Sequence, residues 1–147
     1  MKLQPKLWRR LTARFYHLRG MAHRHVGNRQ GDVQEHCRAV QDFAQALRLN
    51  PQLIQARYDR GVLLWRELAD GLQAQSDLDQ VIALDPTRSE TWFQRAFARQ
   101  IAGDIDGAIA DFQRYVANGE DATWQEISRQ QIDNLRALQD DERKSGR

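Results

Sequence analysis

Ala39-Val40-Gln41-Asp42-Phe43, Ala74-Gln75-Ser76-Asp77-Leu78 and Ala108-Ile109-Ala110-Asp111-Phe112 are three versions of one phrase, set 35 and then 34 residues apart in a chain of 147. Self-similarity at a fixed step of this size marks stacked helical hairpins, because one such unit cannot bury its apolar face alone and needs its neighbours. The same design predicts a protein that binds rather than catalyses.

The third unit, Ser89 to Val116, shows the physics most plainly. Asp85-Pro86 precedes it, an aspartate suited to N-capping followed by a proline that tolerates the first helical position. Trp92, Ala96 and the stem of Arg99 recur at helical spacing, and Gly103-Asp104 breaks that helix. Ala108, Phe112 and Tyr115 then recur at i, i+4 and i+7 along a second helix. Ala96 and Ala108 are small enough to let the two backbones approach. The second unit repeats the plan: Asn50-Pro51 starts it, Gly61 is its small residue, Ala69-Asp70-Gly71 makes the turn, and Ala74, Leu78 and Val81 line its second helix. The one residue that separates a step of 35 from a step of 34 is placed at that turn.

These residues resemble the tetratricopeptide repeat family, whose units are helix-turn-helix hairpins of about 34 residues. The resemblance covers residues 13–118 and rests on Gly61 and Ala96, Gly103-Asp104, Ala39, Ala74 and Ala108, and the closing Pro51 and Pro86. It implies an all-α, right-handed solenoid of three hairpins, near 6–49, 52–84 and 88–117, with a capping helix near 124–141. That makes seven helices in a single domain over 1–141, followed by a polar tail, 142–147.

The first unit departs from the pattern. Gly20 to Pro51 spans 31 residues where Gly61 to Pro86 spans 25. The excess is close to two helical turns, one for each helix, so a longer first hairpin is predicted with its turn near Asn28–Gly31. At the other end, Thr123-Trp124-Gln125-Glu126 has the form of a capping box. Trp124, Ile127, Leu135 and Leu138 give the last helix its apolar stripe, and the residues from Asp140 onward are expected to fray.

Composition narrows the function classes. Apolar residues make up 41% and charged residues 29%, and no apolar run approaches the roughly 20 residues that span a bilayer. One cysteine, Cys37, excludes an internal disulfide and fits a reducing, cytoplasmic setting. Charge is uneven: residues 1–30 hold eight Lys/Arg and no Asp or Glu, while the remainder holds 14 Lys/Arg against 20 Asp/Glu. Such an Arg-rich, acid-free start also resembles an organelle transit peptide, though its overlap with the repeat counts against cleavage there.

No catalytic constellation emerges. There is no glycine-rich phosphate loop, GxSxG elbow, HExxH pattern or EF-hand. His23 and His25 point to different sides of a helix, and His17, His36 and Cys37 lack nearby partners, so neither metal nor cofactor is expected.

The resemblance places binding on a concave face formed by the first helices of successive units. By alignment this face presents Gln55, Tyr58, Val62, Trp65 and Arg66 from the second unit, and Glu90, Phe93, Phe97, Gln100 and Ile101 from the third. The aromatic members are candidate anchors for a peptide or protein segment; the competing reading packs them against neighbouring helices. With Phe93 in the groove, Phe93→Ala is expected to weaken binding without unfolding. One branch of the family grips a chaperone's C-terminal carboxylate with Lys, Arg and Asn. Here Arg24 and Asn28 fall at two such positions when counted from Pro51, but the others fall on Asp59, Glu90 and Gln94, and the two carboxylates, Asp59 and Glu90, would repel that ligand.

Two alternatives stand beside the adaptor reading. Arg9, Arg10, Arg14, Arg19 and Arg24 form a basic first helix that suits an anionic membrane or nucleic acid. Its stripe Leu7, Leu11, Phe15, Leu18, Ala22 and Val26 is expected to be committed to the core. The other alternative is self-association of two copies through the groove. Arg60 with Asp77 and Arg95 with Asp111 are predicted to pair across their hairpins.

Overall fold

The computed structural model describes residues 4–146, and among these the chain forms seven helices: α1 (Pro5–Gln30), α2 (Val33–Leu49), α3 (Ile54–Glu67), α4 (Gly71–Leu84), α5 (Glu90–Ile101), α6 (Ile105–Asn118) and α7 (Ala122–Lys144). Consecutive helices pack on one another as three antiparallel hairpins, and α7 closes the array against α6. The first helices α1, α3 and α5 form one row of this α-solenoid and α2, α4 and α6 the other.

Aspartates start the second helices. Asp32, Asp70 and Asp104 accept hydrogen bonds from the backbone N–H groups of Gln34, Gln73 and Gly107, satisfying donors that the helix itself leaves orphaned. Asp121 does the same for α7 through Trp124, so the capping box expected at Thr123 is replaced by an aspartate two residues earlier. Asp85 and Asn50 do not cap the helices that follow them either. Each accepts from the backbone two residues on, Asp85 from Thr87 and Asn50 from Gln52, and so shapes the loop between hairpins. Helix α5 instead begins after Ser89.

The first hairpin is longer, as predicted, but its turn comes later than Asn28–Gly31: residues 28–30 are still helical, and only Gly31 and Asp32 separate α1 from α2. Helix α1 runs ten residues beyond Gly20 where α3 runs six beyond Gly61, and α2 starts six residues before Ala39 where α4 starts three before Ala74. Gly31, left-handed at φ 65°, ends α1. The last helix differs from expectation: it extends through Lys144, so 140–144 are helical rather than frayed, while Arg147 lies outside the described residues; Ser128 and Ile132 are buried and Leu138 is exposed.

The extra residue of the second unit sits where it was placed. The Asp104 N–H reaches back five residues to the Arg99 carbonyl, whereas the Asp70 N–H reaches back six to the Leu64 carbonyl. The wider turn holds Ala69 at φ 51°, the conformation that Gly103 (φ 86°) supplies in the third unit. A left-handed alanine costs roughly 1–2 kcal/mol, and a glycine loses roughly 0.5–1 kcal/mol more chain entropy on folding. Ala69→Gly should therefore stabilise the protein by about 0.5–1 kcal/mol, seen as a rise in Tm of about 2–4 °C in a thermal melt.

The core follows the repeat. Ala39, Phe43, Ala74, Leu78, Ala108 and Phe112 are all fully buried. Helix α1 contradicts its expected orientation. Its buried residues are Ala13, Gly20 and Gly27, seven apart, whereas Leu7, Leu11, Phe15 and Leu18 are 47–68% exposed. The reason is close approach. A Cβ on Gly20 would come within 2.7 Å of the Phe43 ring, so the space beside this small-residue line is filled by side chains of α2. The stripe of larger residues lies on the opposite side of α1, away from α2.

Candidate binding groove

Three ion-pair rungs hold the hairpins in register. Arg60 donates through Nε and Nη2 to Asp77 at 2.7 and 2.6 Å, and Arg95 does the same to Asp111 at 2.8 and 2.9 Å. Both pairs were predicted from the repeat. Arg19 forms a third with Asp42, at 2.7 and 2.6 Å, through the remaining repeated aspartate. All three carboxylates are buried. Burial opposes the Arg95 charge, but hydrogen bonds and attraction from Asp111 and Asp79 outweigh it, leaving its pKa above the ordinary value.

With the hairpins so aligned, α1, α3 and α5 present neighbouring surfaces. Trp65 of α3 and Phe97 of α5 stack face to face at 4.8 Å, both half-buried. Val62 lies one turn before Trp65, and Ile101, 43% exposed, lies one turn beyond Phe97. Arg66 is exposed at the edge of this strip, and Gln100 is half-buried. The Trp65 indole N–H donates to Gln94 Oε1 at 3.1 Å, tying the two first helices together beneath the rings. Tyr58 is covered by the Arg88 guanidinium, 3.9 Å from its ring centre, and burial pushes its phenol pKa up. Glu90 is exposed.

Phe93 occupies a different position. It is 6% exposed and stacks on Trp124 at 4.6 Å, with Phe97, Tyr115 and Phe112 around it at 5.2, 5.3 and 6.1 Å. It is a core residue that joins α5 to α6 and α7, so Phe93→Ala strikes the fold itself, contrary to the expectation from its helical spacing. Helical periodicity puts Phe93 and Phe97 on one face but does not reveal that α7 lays Trp124 over the first of them.

The first unit contributes a polar wall. Asp59 is buried and accepts from Arg24 Nη1 at 3.2 Å and from Gln55 Nε2 at 3.2 Å, with His17 Nε2 at 2.7 Å. Arg24, the cation at the carboxylate-gripping position considered above, is thus already engaged by a carboxylate of the chain itself. Beside it Asn28, Val62, Leu63, Arg66 and Glu67 line a cleft of about 210 Å3. His23 hydrogen-bonds Glu35 at 2.6 Å, which holds the Glu35 carboxyl below its usual pKa, and His36 hydrogen-bonds Asn28 at 3.0 Å. These histidines are structural links between α1 and α2. Of the remaining basic residues, Arg9 donates to the Arg48 carbonyl at 3.4 Å, while Arg10 and Arg14 are exposed.

No family model and no curated protein matches the sequence. Solved structures do match its fold. The TPR domain of Arabidopsis OM64 superposes with a TM-score of 0.70 at 18% identity, covering 86% of this chain and 98% of that one. The second TPR domain of human RPAP3, determined in complex with the HSP70 peptide SGPTIEEVD, gives 0.63 at 16% identity, covering 82% and 98%. The Sgt2 TPR domain of Aspergillus fumigatus gives 0.64 at 17% identity, covering 87% and 83%. The chain therefore has the architecture of a tetratricopeptide-repeat domain.

Proposed function

We propose that this protein is a non-enzymatic interaction adaptor whose groove takes an extended peptide or a protein segment along α3 and α5. The observation that carries the reading is the half-buried Trp65–Phe97 stack, continued by Val62 and the exposed Ile101. Paired rings on two consecutive first helices offer a rigid apolar anchor at low entropic cost, with Arg66 and Glu90 setting polarity at its edges. The peptide held by the RPAP3 domain, which shares this fold, supports the same use here. The Arg24–Asp59 pair argues for a ligand read mainly through apolar side chains rather than through a terminal carboxylate.

A peptide library panned against the protein, followed by NMR shift mapping, tests this. Selected peptides should bind with Kd near about 1 μM, roughly −8 kcal/mol, and perturb Val62, Trp65, Phe97 and Ile101. Ile101→Lys, at an exposed position, should leave the melting curve unchanged and weaken binding about tenfold or more. Peptides that map elsewhere, or bind the variant equally well, overturn the assignment.

A further inference from the structure

Among the described residues, the outer face of α1 gathers more exposed large apolar side chains than any other helix. Leu7, Trp8, Leu11, Phe15 and Leu18 are 47, 54, 50, 57 and 68% exposed, and they form a ridge over three turns of the helix. A contiguous exposed patch of this size marks an interaction surface. It lies on the side of α1 opposite Ala13, Gly20 and Gly27, so it is separate from the contact with α2.

The charges around the ridge are all of one sign. Lys6, Arg10 and Arg14 are exposed beside it, and residues 1–30 contain no carboxylate at all. In the adjoining α2 the two carboxylates, Glu35 and Asp42, are buried and turned inward to His23, Arg38 and Arg19, while Arg38 and Arg48 are exposed. Both helices of the first hairpin thus show cations outward and keep their acids inside; Asp32, which caps α2, lies at the far turn, away from the ridge.

We propose that this face docks on an anionic lipid membrane, with α1 lying in the interfacial plane and the ridge inserted among the acyl chains. Three features single out that occupant. A lone convex ridge suits a fluid surface that can deform around it. Cations beside an apolar centre match anionic headgroups above hydrocarbon, with the arginine stems covering the boundary. A nucleic acid offers no apolar phase for five aliphatic and aromatic side chains, and a second copy would set two acid-free basic segments against each other. No described helix is long and apolar enough to cross a membrane, so the contact is a surface one.

Co-sedimentation of the full chain with vesicles tests the proposal, using phosphatidylcholine alone and phosphatidylcholine with about 30% phosphatidylserine. Partitioning should rise about tenfold or more with the anionic lipid and fall as salt increases from about 0.1 to about 0.5 M. Leu11→Ser/Phe15→Ser and Arg10→Glu/Arg14→Glu should each reduce it at least about tenfold, with unchanged circular dichroism, since all four positions are exposed. Binding to neither vesicle, or binding that neither double variant alters, overturns the proposal. So does a ridge-dependent dimer in light scattering, or tighter binding to a single-stranded RNA oligonucleotide than to the anionic vesicles. The variants lie outside the α3–α5 strip, so this result is independent of the peptide experiment.

Discussion

Asp111→Ala is expected to destabilise the protein by about 3–5 kcal/mol, a large share of the roughly 5–15 kcal/mol available to a domain of this kind. Asp111 is 3% exposed and receives Arg95 twice, at 2.8 and 2.9 Å, with Arg99 at 3.1 Å. The arginine side chains are themselves only 11% and 19% exposed, so removing the carboxylate leaves two poorly solvated cations with only the more exposed Asp79 and Asp104 as partners. The equivalent changes in the other units should follow the exposure of their arginines. Asp77→Ala, opposite Arg60 at 17%, should cost nearly as much; Asp42→Ala, opposite Arg19 at 48%, should cost less, because water can take over part of the solvation. Urea unfolding of the three variants checks both the magnitude and the order. Equal losses at all three rungs would show that burial of the arginine does not govern the cost.

Phe93→Ala should cost about 3–5 kcal/mol through the cavity it opens among Phe97, Phe112, Tyr115 and Trp124. Its consequence should be uneven along the array. Stability in a stacked-repeat protein is approximately a sum over units and their interfaces, and Phe93 belongs to the cluster shared by α5, α6 and α7. The last hairpin and the cap should therefore lose their protection in hydrogen exchange first, while Ala39, Phe43 and Leu63 keep the first two hairpins together. Phe97→Ala, at a half-buried ring, should be milder and should show its effect in peptide binding as well.

Much of the architecture was legible in the sequence, for reasons that are local. A small residue, an aspartate and a large apolar residue recurring every 34 or 35 positions specify a hairpin whichever hairpin comes next to it. The longer first unit could be read from the spacing of Gly20 and Pro51, because chain length between a fixed small residue and a fixed stop must be taken up as helix. The Arg60–Asp77 and Arg95–Asp111 rungs were legible for the same reason: both partners recur with the repeat.

The candidate groove was less legible. Tyr58, Val62, Trp65, Phe97 and Ile101 follow from counting along α3 and α5, but Phe93 satisfies the same count and is buried. What distinguishes it is Trp124, about thirty residues away, stacked on its ring. The caps also escaped a local reading: Thr123 and Asp121 are both able to begin α7, and the structure places the helix start so that Asp121 accepts from Trp124.

The sequence by itself determined the number of hairpins, the greater length of the first, and the polar rungs of the second and third, since each depends on residues within one unit. Only the tertiary structure decided which apolar face is core. Helix α1 carries two candidate faces, a line of small residues and a stripe of large ones, and burying the large one would remove more apolar area from water. The small one is buried because Gly20 and Gly27 let α2 approach until Phe43 and His36 fill the space a Cβ would need. That outcome depends on the distance between two helices, which no periodicity within either of them contains.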